Sequence, residues 1–258
     1  MLRLSAVLIL VGLGAPAHSA EKAKTASEII AAADAVRNPD EPFSLVTTLI
    51  EYRDGQETNT MSLLVYSKEE SQNGQYRTLA SFMTPPKDKG KVMLKNGGEL
   101  WFHDPMSKSS VRISPQQRLM GQASNGDVMT ANLHHDYKAE LAGEETITDV
   151  KKAGHLCYKL NLKSGSEASS YLRIEYWVDK ENLQPIKGKF YSDSDRLLKI
   201  VYYGGYKMEL GRQRPTESII IDGVDRKLVT KMIFRSYEHR KIPEGWFQKE
   251  YLPRFQGE

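Results

Sequence analysis

Only one cysteine, Cys157, occurs in 258 residues, so no disulfide within the chain can staple the fold. Stability has to come from an ordinary buried core. Beyond Ala20 there is no apolar run approaching the roughly 20 residues that a membrane-spanning helix needs, and mean hydropathy is −0.52. The net charge is small, +3, a balance that does not call for nucleic acid or a strongly anionic surface as partner. Motifs for chemistry are also missing. No Gly-x-Ser-x-Gly elbow is present, and Gly204-Gly205 reads as a strand bulge because neither a helix nor Lys-Ser/Thr follows it. The adjacent His134 and His135 would point about 100° apart on a helix, and His-x-x-x-His, which sets two ligands on one face, does not occur. No metal, no cofactor and no enzymatic activity are therefore expected.

What is present begins with a leader. Met1-Leu2-Arg3, an apolar core from Leu4 to Leu13 and a small-residue exit ending Ser19-Ala20 have the order of a cleavable secretory signal. Its removal takes away one Arg and no acid. The expected organisation is a signal peptide over residues 1–20 and a single domain over residues 21–258.

Next, Thr25-x-x-Glu28 offers a capping box, and Ile29, Ile30, Ala33 and Val36 recur at helical spacing until Asn38-Pro39. From Phe43 onward the period changes to two. Val46, Thr48, Ile50 and Tyr52 share one strand face, as do Leu156, Tyr158, Leu160 and Leu162, and later Leu198, Ile200 and Tyr202. Asp54-Gly55, Asn73-Gly74, Asn96-Gly97-Gly98 and Asp222-Gly223 punctuate the pattern as hairpin turns. A short helix is expected near Asp127 to Asp136, and a terminal one from Pro243 to Leu252. The fold class that follows is mainly β, an antiparallel sheet of roughly ten or eleven strands that curls into a partly closed barrel, because twisted sheets that wide rarely stay open.

The candidate site lies between Arg77 and Tyr137. Strand-like segments carrying Phe82, Leu94, Leu100, Trp101 and Ile113 give way to an apolar flap with Met120, Val128, Met129 and Leu133. Large apolar side chains on curved strands followed by a detachable flap suit a greasy ligand. Met83, Met93, Met106, Met120 and Met129 would add a flexible, polarizable lining.

The spaced series Arg77, Phe82, Pro85, Leu94, Leu100-Trp101-Phe102, Pro105, Gly126-Asp127, Leu133, Tyr137 and Gly143-Glu144-Glu145, with Tyr176-Trp177-Val178-Asp179 later, resembles the outer-membrane lipoprotein-sorting family, the LolA-like proteins. That resemblance implies a half-open antiparallel barrel with helices over its concave side and a periplasmic location. It also implies a carrier that holds lipid or lipoprotein acyl chains and moves them between an inner-membrane exporter and an outer-membrane acceptor. By the same comparison, Arg77 stands where a strand arginine latches the lid; the competing reading is an ordinary strand arginine paired with an acid or a backbone carbonyl. Its alternative is a sensor or scaffold module that reads a lipid or lipoprotein signal for a membrane-protein partner. Trp101-Phe102-His103-Asp104-Pro105 departs from the family's more aromatic version of that turn.

Overall fold

The computed structural model describes residues 23–72, 74–165 and 169–256; the leader expected over residues 1–20 lies outside them. Helix α1 (Ala26–Arg37) starts at the capping box that the sequence indicates. The Thr25 hydroxyl accepts from the Glu28 N–H, and the Glu28 carboxylate accepts from the Thr25 N–H. Ile29, Ile30 and Ala33 form its buried stripe.

Six strands follow as a meander: β1 (Phe43–Arg53), β2 (Gln56–Glu69), β3 (Tyr76–Thr84), β4 (Val92–Asn96), β5 (Glu99–Asp104) and β6 (Ser109–Arg112). A crossing segment, called the flap below, then carries a small hairpin, β7 (Arg118–Met120) with β8 (Ala123–Ser124), a 3-10 turn at Asn125–Val128 and the one-turn helix α2 (Leu133–Asp136). The single helix expected over Asp127 to Asp136 is thus broken in two. Extended backbone at Met129 ends the first piece, and Asn132 caps the second by accepting from the His135 N–H.

The second meander comprises β9 (Tyr137–Thr148), β10 (Gly154–Ser164), β11 (Arg173–Asp179), β12 (Pro185–Tyr191) and β13 (Leu197–Gly204). After a hairpin of β14 (Lys207–Glu209) and β15 (Arg212–Arg214), it ends with β16 (Glu217–Asp222) and β17 (Leu228–His239). Strand β17 pairs with β1, which joins the two meanders into one 13-stranded antiparallel sheet in the order β6-β5-β4-β3-β2-β1-β17-β16-β13-β12-β11-β10-β9. The count exceeds the ten or eleven expected, and the architecture is the expected one: a mainly β, half-open barrel whose edge strands β6 and β9 do not pair with each other.

Alternation along the strands sends one set of side chains to the concave face. There Leu45, Leu49, Leu63, Val65, Leu160, Leu162 and Ile174 build the main core together with the α1 stripe. For two strands the structure decides which face of the period-two pattern is inward. In β1 the buried set is Leu45, Thr47 and Leu49, and in β13 Lys199 and Val201 go inward where Leu198, Ile200 and Tyr202 form the more apolar series. A slip of one residue exchanges the faces of a strand, and both faces of β13 are apolar enough to be covered.

The convex face is covered in two places. The C-terminal segment turns through Glu244–Phe247 and Lys249–Arg254, as two 3-10 stretches where one helix is expected. It packs Ile242, Phe247 and Leu252 on Tyr66, Leu79, Val92 and Leu94. Tyr66, Trp246 and Phe255 meet edge to face there. Near the other end of the sheet, Cys157, Trp177, Ile186 and Ile147 form a small second patch. Burial, with Asp179 and Glu145 adding to it, pushes the Cys157 thiol up to about 12, so it stays protonated and inert.

Candidate functional site: the concave cavity and its flap

Between the concave face and the layer made by α1 and the flap lies a cavity of about 190 Å³. The strands supply Phe43, Leu45, Val65, Leu100, Ile174, Val201, Ile220 and Met232, and the flap supplies Val128, Met129 and Leu133. Four of the residues singled out from sequence, Leu100, Val128, Met129 and Leu133, therefore meet at one cavity. Phe82, Ile113 and Met120 belong to the apolar core beside it, Phe82 with its ring 6.1 Å from that of Phe102. Leu94 and Trp101 are on the opposite side of the sheet under the C-terminal segment, where Lys249 Nζ lies 3.9 Å from the Trp101 ring centre. Strand alternation separates them from Leu100: neighbours in sequence point to opposite faces.

Polar groups fasten the flap. Asp127 forms an ion pair with Lys199, which is almost fully buried on β13. The same carboxylate accepts from the Ser124 hydroxyl at 3.0 Å, the Ser124 N–H at 2.7 Å and the Tyr171 hydroxyl at 3.0 Å. Burial drives the Lys199 amine below its ordinary value, and the nearby Asp127 opposes that shift. Burial likewise raises Tyr171, and the Asp127 charge adds to it. At the hairpin tip, the Gln122 N–H donates to the Thr230 hydroxyl at 2.7 Å. Gly121, at φ +55°, lies so close that a Cβ there would stand 2.2 Å from that oxygen, so backbone conformation and proximity both demand glycine. Further along, the Thr130 N–H donates to Thr78 Oγ1 at 3.3 Å.

Helix α1 is held to the same layer by arginines. Arg37 pairs with Asp34 at 2.5 Å and donates to the Ala131 carbonyl at 3.1 Å. Arg214, fully buried, donates to the carbonyls of Ala35 and Val36, both at 3.1 Å. A cation on the terminal carbonyls of a helix satisfies open acceptors and opposes the negative end of its dipole. The latch expected at Arg77 is corrected by this geometry. Arg77 faces the convex side, 2.8 Å from Glu244 and 5.1 Å from the Phe247 ring centre, and holds the C-terminal segment. The arginine on the α1 carbonyls is Arg214.

A family model described only as uncharacterised protein matches residues 74–254. No curated protein matches the chain. Among solved structures, a LolA superfamily protein from Nitrosomonas europaea shares 30% identity at a TM-score of 0.79, over 89% of this chain and 100% of its own. The chain belongs to the LolA superfamily. Two structures at 20% identity and TM-score 0.74 share its fold. One, from Vibrio parahaemolyticus, is described as an outer membrane lipoprotein-sorting protein domain and is covered over 89% of this chain and 98% of its own. The other is a DUF1329 family protein from Desulfovibrio piger, covered over 88% and 97%.

Within this LolA-superfamily fold, the methionine lining expected from sequence reduces to Met129. Met93 is buried in the core, Met120 is half-buried, and Met83 and Met106 are exposed; Met232, from the far strand, is the second methionine at the cavity. His134 and His135 are exposed, and among the described residues no three His, Cys, Asp or Glu side chains group as a metal site. Sequence reasoning missed the far wall, Ile174, Val201, Ile220 and Met232, because nothing local announces which strands close on the flap. It also missed Lys199 and Arg214. Lys199 had a signal, a cation inside an otherwise apolar strand.

Proposed function

We propose that this LolA-superfamily protein is a periplasmic carrier that takes up lipid, or the acyl chains of lipoproteins, in the concave cavity and moves them between the two membranes of a bacterial envelope. The observation that carries this reading is the apolar cavity roofed by a flap whose ends attach to the two unpaired edges of the sheet. Size explains why the roof has to move. A dry cavity of about 150 Å³ holds one benzene, so about 190 Å³ holds a segment of one chain, and whole acyl chains require the flap to lift. Lifting exposes Val128, Met129 and Leu133, each worth roughly 1.5–3 kcal/mol when buried. A cargo that covers the same surface offsets that cost, at about 0.8 kcal/mol per methylene. Uptake and flap displacement are thereby linked, and the emptied carrier recloses. An inner-membrane exporter and an outer-membrane acceptor are the partners this role needs.

Native mass spectrometry of the protein purified from a bacterial periplasm without detergent tests the reading. The expected result is a discrete added mass that extraction identifies as lipid, and that is lost in Leu100→Asp or Met129→Asp proteins retaining the wild-type circular dichroism. A bare protein that also fails to take up a fluorescent fatty acid would overturn it.

A further inference from the structure

The cavity holds more charge than a hydrocarbon tail requires. Arg37, Lys95, Asp127 and Asp136 all line it. Two cations of this layer are matched at short range, Arg37 with Asp34 and Lys199 with Asp127. Lys95 differs. It projects from β4 on the same face as Met93, directly across the sheet from Thr78 on one side and Leu100 on the other. Its amine has no hydrogen bond and no ion pair within 4.0 Å among the described residues. Asp136 is the acid that acts on it, from beyond that range, and burial holds its amine below the ordinary lysine value. Lys95 is half-buried, and an ammonium partly withdrawn from water without a close counter-ion is unfavourable. Its position restricts what could pair with it. Three and four residues further along, Gly98 of the β4–β5 turn and Glu99 at the start of β5, both exposed, contribute to the same lining. The cavity thus reaches solvent beside Lys95. Glu99 is itself occupied by Arg112, 3.5 Å away, and by the Trp101 indole N–H, at 3.2 Å. Past Lys95 the walls turn apolar with Leu100, Met129, Val65 and Met232.

We propose that Lys95 is the head-group site of this cavity, pairing with the carboxylate or phosphate of a single-headed anionic amphiphile whose chain runs inward under the flap. The proposal deepens the carrier reading and rests on it: a tail enters first, and the anionic head stops at the mouth where Lys95 waits. Arg37, whose Nε is buried without a partner, adds positive potential from the α1 side. The head group and a free anion have the same chemistry at the amine, so the test has to separate them.

Palmitate, hexadecyl phosphate, hexadecanol and inorganic phosphate are titrated into the purified protein by calorimetry, below their aggregation limits. A hydrogen-bonded charge pair implies that palmitate, hexadecyl phosphate or both bind roughly tenfold to a hundredfold more tightly than hexadecanol. Which of the two leads identifies the head. Lys95→Met is expected to erase that difference, and Lys95→Arg to restore most of it; thermal melts of both variants establish that they fold. Equal affinities for acid and alcohol, or a preference that survives Lys95→Met, overturn the proposal and leave the carrier reading standing. Inorganic phosphate binding as tightly as hexadecyl phosphate also overturns it, since the chain then contributes nothing. If none of the three chain-bearing probes binds, both readings fall together.

Discussion

At the scale of single residues, the side chains that decide how the cavity closes are polar ones in apolar company. Lys199 and Asp127 form a pair whose Lys side chain is 5% exposed, and removing one partner of such a pair leaves a buried, uncompensated charge. Asp127→Asn is expected to lower unfolding free energy by about 3–5 kcal/mol in urea denaturation. Asp127→Asn with Lys199→Met should cost less than Asp127→Asn alone, because the orphaned ammonium is gone. An equal or larger loss in the double variant would show that the pair is not the fastener. These residues also mark the limit of what sequence conveys. Leu100, Val128, Met129 and Leu133 are recognisable as cavity residues since they are apolar and belong to the strand-and-flap stretch. Arg214 gives no sign, and the cation in an apolar strand at Lys199 does not say what it meets, because both roles depend on which carbonyl or carboxylate a distant element brings to them. Arg77 is the strand arginine paired with an acid, Glu244, and only the latch reading fails, because its face is the other one.

At the scale of elements, local chemistry was legible wherever it is local. The capping box at Thr25 and Glu28 starts α1 as the sequence indicates, and Asp54-Gly55 turns β1 into β2 through two left-handed residues. The flap and the C-terminal turns were less legible, since each is short, lacks a full helical period and takes its shape from the sheet beneath. The C-terminal turns carry a pH dependence of their own. The Glu244 carboxyl is held below its ordinary value of 4.5, chiefly by the hydrogen bond from Lys68 and further by Arg77. A depressed acid contributes stability that is complete above its unfolded-state value and is lost as pH falls through its folded-state value. The melting-temperature gap between wild type and Glu244→Gln should therefore be full near about pH 6 and shrink toward about pH 3. A gap that stays constant over that range would mean that the carboxylate does not help to hold the segment.

At the scale of the whole molecule, the sheet is continuous where its two meanders join, and its loosest part is the flap. Strand β1 lies between β2 and β17, all three long and paired on both sides, whereas the flap rests on a few polar fasteners and the buried side chains of Ala123, Val128, Met129 and Leu133. Hydrogen exchange should rank accordingly, slowest in β1, β2 and β17 and fastest in residues 114–132, with cargo slowing the flap most. Protection that is uniform between flap and centre would contradict a moving roof. The attachment of the flap has a mechanical consequence. Roughly two dozen residues join β6 to β9, and a chain of that number, fully extended, reaches on the order of 80 Å. Folded back on itself as a hairpin, a turn and a short helix, it is a tether with slack. The rims of the barrel can part for a wide load while the tether pays out, and no strand has to leave the sheet. A 13-stranded sheet opened fully flat would separate its edges by only about 60 Å, so the tether never becomes the limit, and the twist of the sheet sets the gape.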